Sequence, residues 1–140
     1  MTGGAARERP AAVVSTPAAP LGAGATALAV AFVVSGVTHL VRPGVFEGIV
    51  PRWLPARRGL VLVSGVAELA CAAGLAVART RRPAALASAA LLVAVYPANV
   101  QMAVDAVRRG RPGYRAVALA RLPLQVPLVV TALRAARGPA

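Results

Sequence analysis

Two ionisable side chains of opposite sign, Glu68 and Arg121, each stand alone in a stretch that is otherwise uncharged. Residues 59–78 contain Glu68 and no other Asp, Glu, Lys or Arg, and residues 116–133 contain only Arg121. A charge at the centre of a membrane-spanning helix costs about 2.5–3.5 kcal/mol on insertion scales, so an isolated one is expected to be paired, to serve a function, or both. A planar guanidinium suits a carboxylate, and a Glu68–Arg121 pair is the first expectation. Asn99 and Gln125 add amide donors and acceptors, and His39 adds an imidazole of the kind that exchanges protons near neutral pH. His39, Glu68, Asn99, Arg121 and Gln125 thus form a candidate binding cavity that could hold a polar or quinone-like headgroup or relay protons. The competing reading is that the same groups only fasten helices together. No catalytic residue is assigned.

The elements that must position them are four apolar stretches of about 20 residues, each about 30 Å long as a helix and so able to cross the hydrocarbon core. They fall at residues 22–41, 59–78, 84–104 and 116–135, and the first and third contain no charged residue. Hydrophobic residues make up 58% of the 140, above the roughly 45–50% of soluble domains. A soluble bundle would also show polar outer faces, and these stretches are apolar on nearly every side. The expected fold is all-α, an integral membrane four-helix bundle with antiparallel up-down topology over residues 21–136, behind a disordered tail at 1–20 rich in Ala, Pro, Gly and Thr. That composition cannot bury enough apolar surface to order itself.

The net charge is +12, and every basic residue is arginine. The arginines flank the apolar stretches, which suits lipid headgroups better than nucleic acid. The expected partner is therefore the lipid bilayer. They divide seven to eight between the two faces, so the positive-inside rule gives no orientation, although an even number of spans puts both termini on one side. The connector 42–58 (RPGVFEGIVPRWLPARR) reads as a short amphipathic segment with Trp53 at headgroup depth. RTRRP at 79–83 reads as a tight turn, and RRGRPGYR at 108–115 as a basic loop.

If all helices end in one plane, His39, Glu68, Asn99 and Arg121 lie roughly 3, 14, 8 and 9 Å from the same face, with Gln125 one turn beyond Arg121. All five then occupy one half of the bundle. Pro97 leaves the carbonyl of Val93 without its helical donor, and Pro123 does the same for Leu119. Such carbonyls are tolerated at bilayer depth only inside protein or beside a cavity. VSGVTH at 34–39 echoes VSGVAE at 63–68, a match that chance accounts for in a chain this rich in Val, Ala and Gly, whereas the small residues Ser35, Gly36, Ser64 and Gly65 are expected at close helix contacts.

One histidine and one cysteine, Cys71, provide no cluster for haem, zinc or an iron–sulfur centre, and no dithiol pair. Cys71 reads as a small apolar filler. No glycine-rich phosphate loop is present, so an independent enzyme of soluble type is not expected.

The pieces SGVTHLVRPGVFEGIVPRWLP (35–55), SGVAELACAAGLAV (64–77), YPANVQMA (96–103) and RLPLQVPLV (121–129) resemble, in order and spacing, the DoxX family of small four-helix bacterial membrane proteins, also grouped with MauE-like proteins. Leu40 and Tyr96 stand where the family often has Phe. The resemblance implies functional weight on His39, Pro43, Glu68, Asn99, Arg121 and Gln125. It also implies a bacterial inner-membrane location and association with quinone- or thiol-linked redox systems. On this basis the chain is expected to be an accessory subunit, with a membrane or soluble oxidoreductase as partner and with quinone as the ligand. The absence of a cysteine pair argues against direct thiol chemistry. Two alternatives remain open: a homo-oligomeric transporter of a small solute or of protons, and a structural anchor or assembly factor.

Overall fold

A computed structural model of the chain describes residues 20–109 and 112–138. All of the tail expected over 1–20 except Pro20 lies outside the described residues. Five helices form: α1 (Ala23–Val41), the short α2 (Gly44–Glu47), α3 (Arg57–Ala76), α4 (Arg81–Arg109) and α5 (Pro112–Arg137). Of these, α1, α3, α4 and α5 are long and apolar enough to cross a membrane. Their outward faces are largely valine, including Val30, Val34, Val63, Val93 and Val126. Such a surface is stable against hydrocarbon and not against water, and the chain is a multi-pass membrane protein.

Neighbours pack in the order α1–α3–α4–α5, and α1 closes against α5 through the slightest of the four seams. This is the antiparallel up-down arrangement that short connections favour. The tightest link joins α3 to α4. There Thr80 Oγ1 donates to the carbonyl of Gly74 at 2.9 Å, and Arg81 Nε donates to that of Leu75 at 3.1 Å. Both satisfy carbonyls that the end of α3 leaves without helical donors. Helix α4 starts at Arg81, inside the expected turn, because Pro83 falls in the first turn, where its missing N–H costs nothing. The expected basic loop is likewise mostly helical. α4 runs to Arg109 and α5 starts at Pro112, the favoured first position for proline.

One apolar cluster draws on all four spanning helices: Leu28 and Phe32, Cys71 and Leu75, Ala89 and Leu92, and Ala132. It fills the half of the bundle nearer the described chain ends. In the other half a smaller cluster joins Met102 and Ala106 of α4 to Ala118 of α5, with Ile49 of the connector packed on it. The polar residues sit where the shared core stops.

Candidate functional site

Helices α1 and α3 meet through the two glycines of the sequence echo. A Cβ placed on Gly36 would lie 2.8 Å from the Gly65 carbonyl oxygen, and one on Gly65 would lie 2.7 Å from His39 Cβ. Only glycine permits backbones to approach so closely. Side chains on a helix lean toward its N-terminus. On antiparallel helices His39 and Glu68, each three residues past its glycine, therefore lean toward one another. His39 Nδ1 lies 3.2 Å from Glu68 Oε2, and both residues are buried. Ser35 Oγ lies 3.5 Å from the same nitrogen, at the limit of a hydrogen bond.

This pairing corrects the expected one. Glu68 meets the imidazole of His39 and not the guanidinium of Arg121, and Arg121 is exposed on α5. Two physical reasons account for it. In the helix ring α3 and α5 stand diagonally, separated by α1 on one side and α4 on the other. The helices also do not end in one plane. His39 is two residues from the end of α1 but packs against Gly65, the ninth residue of α3. At 1.5 Å per residue, α3 runs about 12 Å past this contact while α1 runs about 3 Å. The difference brings His39 from its expected shallow position to the level of Glu68.

Asn99 and Gln125, both buried, form a second pair between α4 and α5. Asn99 Nδ2 donates to Gln125 Oε1 at 3.2 Å, and Gln125 Nε2 donates to the carbonyl of Leu92 through a short bond. The carbonyl that receives this side chain is that of Leu92, one residue before Val93, the carbonyl that Pro97 leaves without its helical donor. Both pairs lie one turn beyond the shared core. Glu68 precedes Cys71 by three residues, Gln125 precedes Leu128 by three, and Gln125 is bonded to the backbone of Leu92.

The connector closes the end where α1 stops before its neighbour α3. The Phe46 ring lies 4.0 Å from the His39 ring, tilted by 47°. Pro43, Val50 and Pro51 are buried, and Ile49 reaches the α4–α5 cluster. Glu47 Oε1 is 3.8 Å from Arg58 Nη1, which ties α2 to the start of α3. Trp53 is 75% exposed on this connector. Phe46 is the site residue that sequence reading passed over. Its signal was the H-L-V-R-P-G-V-F run, which returns an aromatic to the histidine seven residues earlier.

Chemically, a carboxylate accepts and does not donate, so an ionised Glu68 holds the proton of neutral His39 on Nδ1. Nε2 is then the free acceptor, and on protonation it becomes a donor. Nε2 makes no hydrogen bond among the described residues. The two amides, by contrast, spend their groups on each other and on the backbone. A groove of about 350 Å³ opens between α4 and α5, and none of the five residues lines it. Among the described residues no three His, Cys, Asp or Glu gather to hold a metal.

A family model described as Domain of unknown function (DUF8561) matches residues 28–136, a span that contains both polar pairs and Arg121. No curated protein and no solved structure matches the chain.

Proposed function

The chain belongs to the family described as Domain of unknown function (DUF8561), and we propose that it works as a DoxX-like accessory subunit of a redox system in the bacterial inner membrane. The observation that carries this reading is the buried His39–Glu68 pair with one ring nitrogen uncommitted. A quinone headgroup offers carbonyl oxygens that accept hydrogen bonds. Protonated His39 would donate to such an oxygen from Nε2, and Glu68 would hold the ring and stabilise its charge. Reduction of a quinone to a quinol takes two electrons and two protons. The electrons would come from an oxidoreductase partner, because this sequence carries no cofactor motif, and His39–Glu68 would deliver the protons one at a time.

The test is equilibrium binding of decylubiquinone to the full chain in nanodiscs. Saturable binding is expected, weakened at least tenfold by His39→Gln and by Glu68→Gln. No saturable binding, or equal binding by both variants, would overturn the reading. A structural role is favoured for the other pair, since Asn99 and Gln125 bond each other and Leu92. Asn99→Leu should therefore lower stability and leave quinone affinity within twofold.

A further inference from the structure

The groove between α4 and α5 is separate from both polar pairs, and we propose that it is a binding site for one anionic phospholipid. Its walls are Val100, Ala103, Val104 and Val107 of α4 and Leu119 and Leu122 of α5, and its volume is about 350 Å³. Among the described residues, Arg108 at the connector end is the charged one that lines it. Arg115 lies four residues before Leu119, on the same stripe of α5, and is exposed. The groove therefore runs about 12 Å along α4 from Val100 to Arg108, from hydrocarbon depth up to a pair of arginines where headgroups begin.

Three observations select the occupant. Both helices are spans of a membrane protein, so the groove faces hydrocarbon and an acyl chain is the filler at hand. A helix is 10–12 Å across with its side chains, so the volume suits a single hydrocarbon chain and not a partner helix. Arg108 and Arg115 have no hydrogen bond or ion pair among the described residues, even though Asp105 is only three residues from Arg108. The Arg108 guanidinium lining the end of an apolar slot, with Arg115 one turn before Leu119 on the α5 wall, matches a phosphodiester with a fatty chain. The net charge of phosphatidylglycerol matches them, and the zwitterion of phosphatidylcholine does not.

The full chain would be reconstituted into nanodiscs of equal phosphatidylglycerol and phosphatidylcholine, released into detergent and weighed by native mass spectrometry. One phosphatidylglycerol per chain should survive. Arg108→Gln with Arg115→Gln should lower its occupancy at least tenfold. Val104→Trp, which fills the groove from its half-open rim without altering charge, should do the same. Arg134→Gln with Arg137→Gln removes equal charge from the far end of α5 and should leave occupancy unchanged. Equal retention of both lipids, equal loss in the control pair, an unaffected Val104→Trp variant, or a second copy of the chain in place of lipid would each overturn the proposal.

Discussion

Gly36 and Gly65 bring α1 and α3 so close that the backbone oxygen of Gly65 lies 2.8 Å from where a Gly36 side chain would begin. The His39–Glu68 pair depends on that crossing. Any group inserted between the helices separates an imidazole and a carboxylate that are in contact only because their backbones nearly touch.

Gly65→Ala is therefore expected to destabilise the bundle by about 1–3 kcal/mol, the usual effect of overpacking. Gly36→Ala should have an effect of the same size. Gly48→Ala meets nothing within 4 Å and serves as the neutral comparison. Denaturation in mixed micelles, followed by circular dichroism, measures all three. An undisturbed Gly65→Ala variant would contradict the crossing.

Nitrogen NMR of labelled His39 should show the neutral ring protonated on Nδ1, because Glu68 accepts from that atom at 3.2 Å. Glu68→Leu removes the acceptor and leaves a buried donor, at a cost of about 1–3 kcal/mol. The ring should then lose its Nδ1 preference. A wild-type ring protonated on Nε2 alone would rule out the arrangement.

Gln125 makes two bonds across α4 and α5, and Asn99 makes one of them. Hydrogen bonds between membrane helices contribute about 0.6–2 kcal/mol. Gln125→Leu should therefore cost more than Asn99→Leu, and the double variant should cost less than the sum. Full additivity would mean that the two amides do not meet.

Arg121→Leu separates the observed pairing from the alternative one. Removing one member of a buried ion pair costs about 3–5 kcal/mol. With Arg121 exposed and Glu68 held by His39, the substitution should cost nothing and should favour insertion of α5 by up to about 3–4 kcal/mol. A large loss of stability would restore the guanidinium to Glu68.

Ala56 turns the chain into α3 at φ +49°, a left-handed conformation that costs a residue with a Cβ about 1–2 kcal/mol. Ala56→Gly should recover part of that. A rise in thermal midpoint checks it, and a fall would show that the turn carries no strain.

Much of this was legible in the residues themselves. Four long apolar runs set four helices, because only a backbone that satisfies its own polar groups survives in hydrocarbon. The scarcity of polar side chains within those runs singled out His39, Glu68, Asn99 and Gln125, and all four are buried. The small residues at 35–36 and 64–65 announced a close contact, and Gly36 and Gly65 make it. Partnership was decided elsewhere. Which helix stands beside which, and how far each projects past its neighbour, depends on packing between segments distant in sequence. A one-plane estimate of depth left His39 shallow and Arg121 within reach of Glu68. The glycine crossing and the diagonal placement of α5 reversed both, because α1 and α3, nearly equal in length, are staggered by several residues at that crossing, and side chains bond only across the interfaces that the tertiary fold creates.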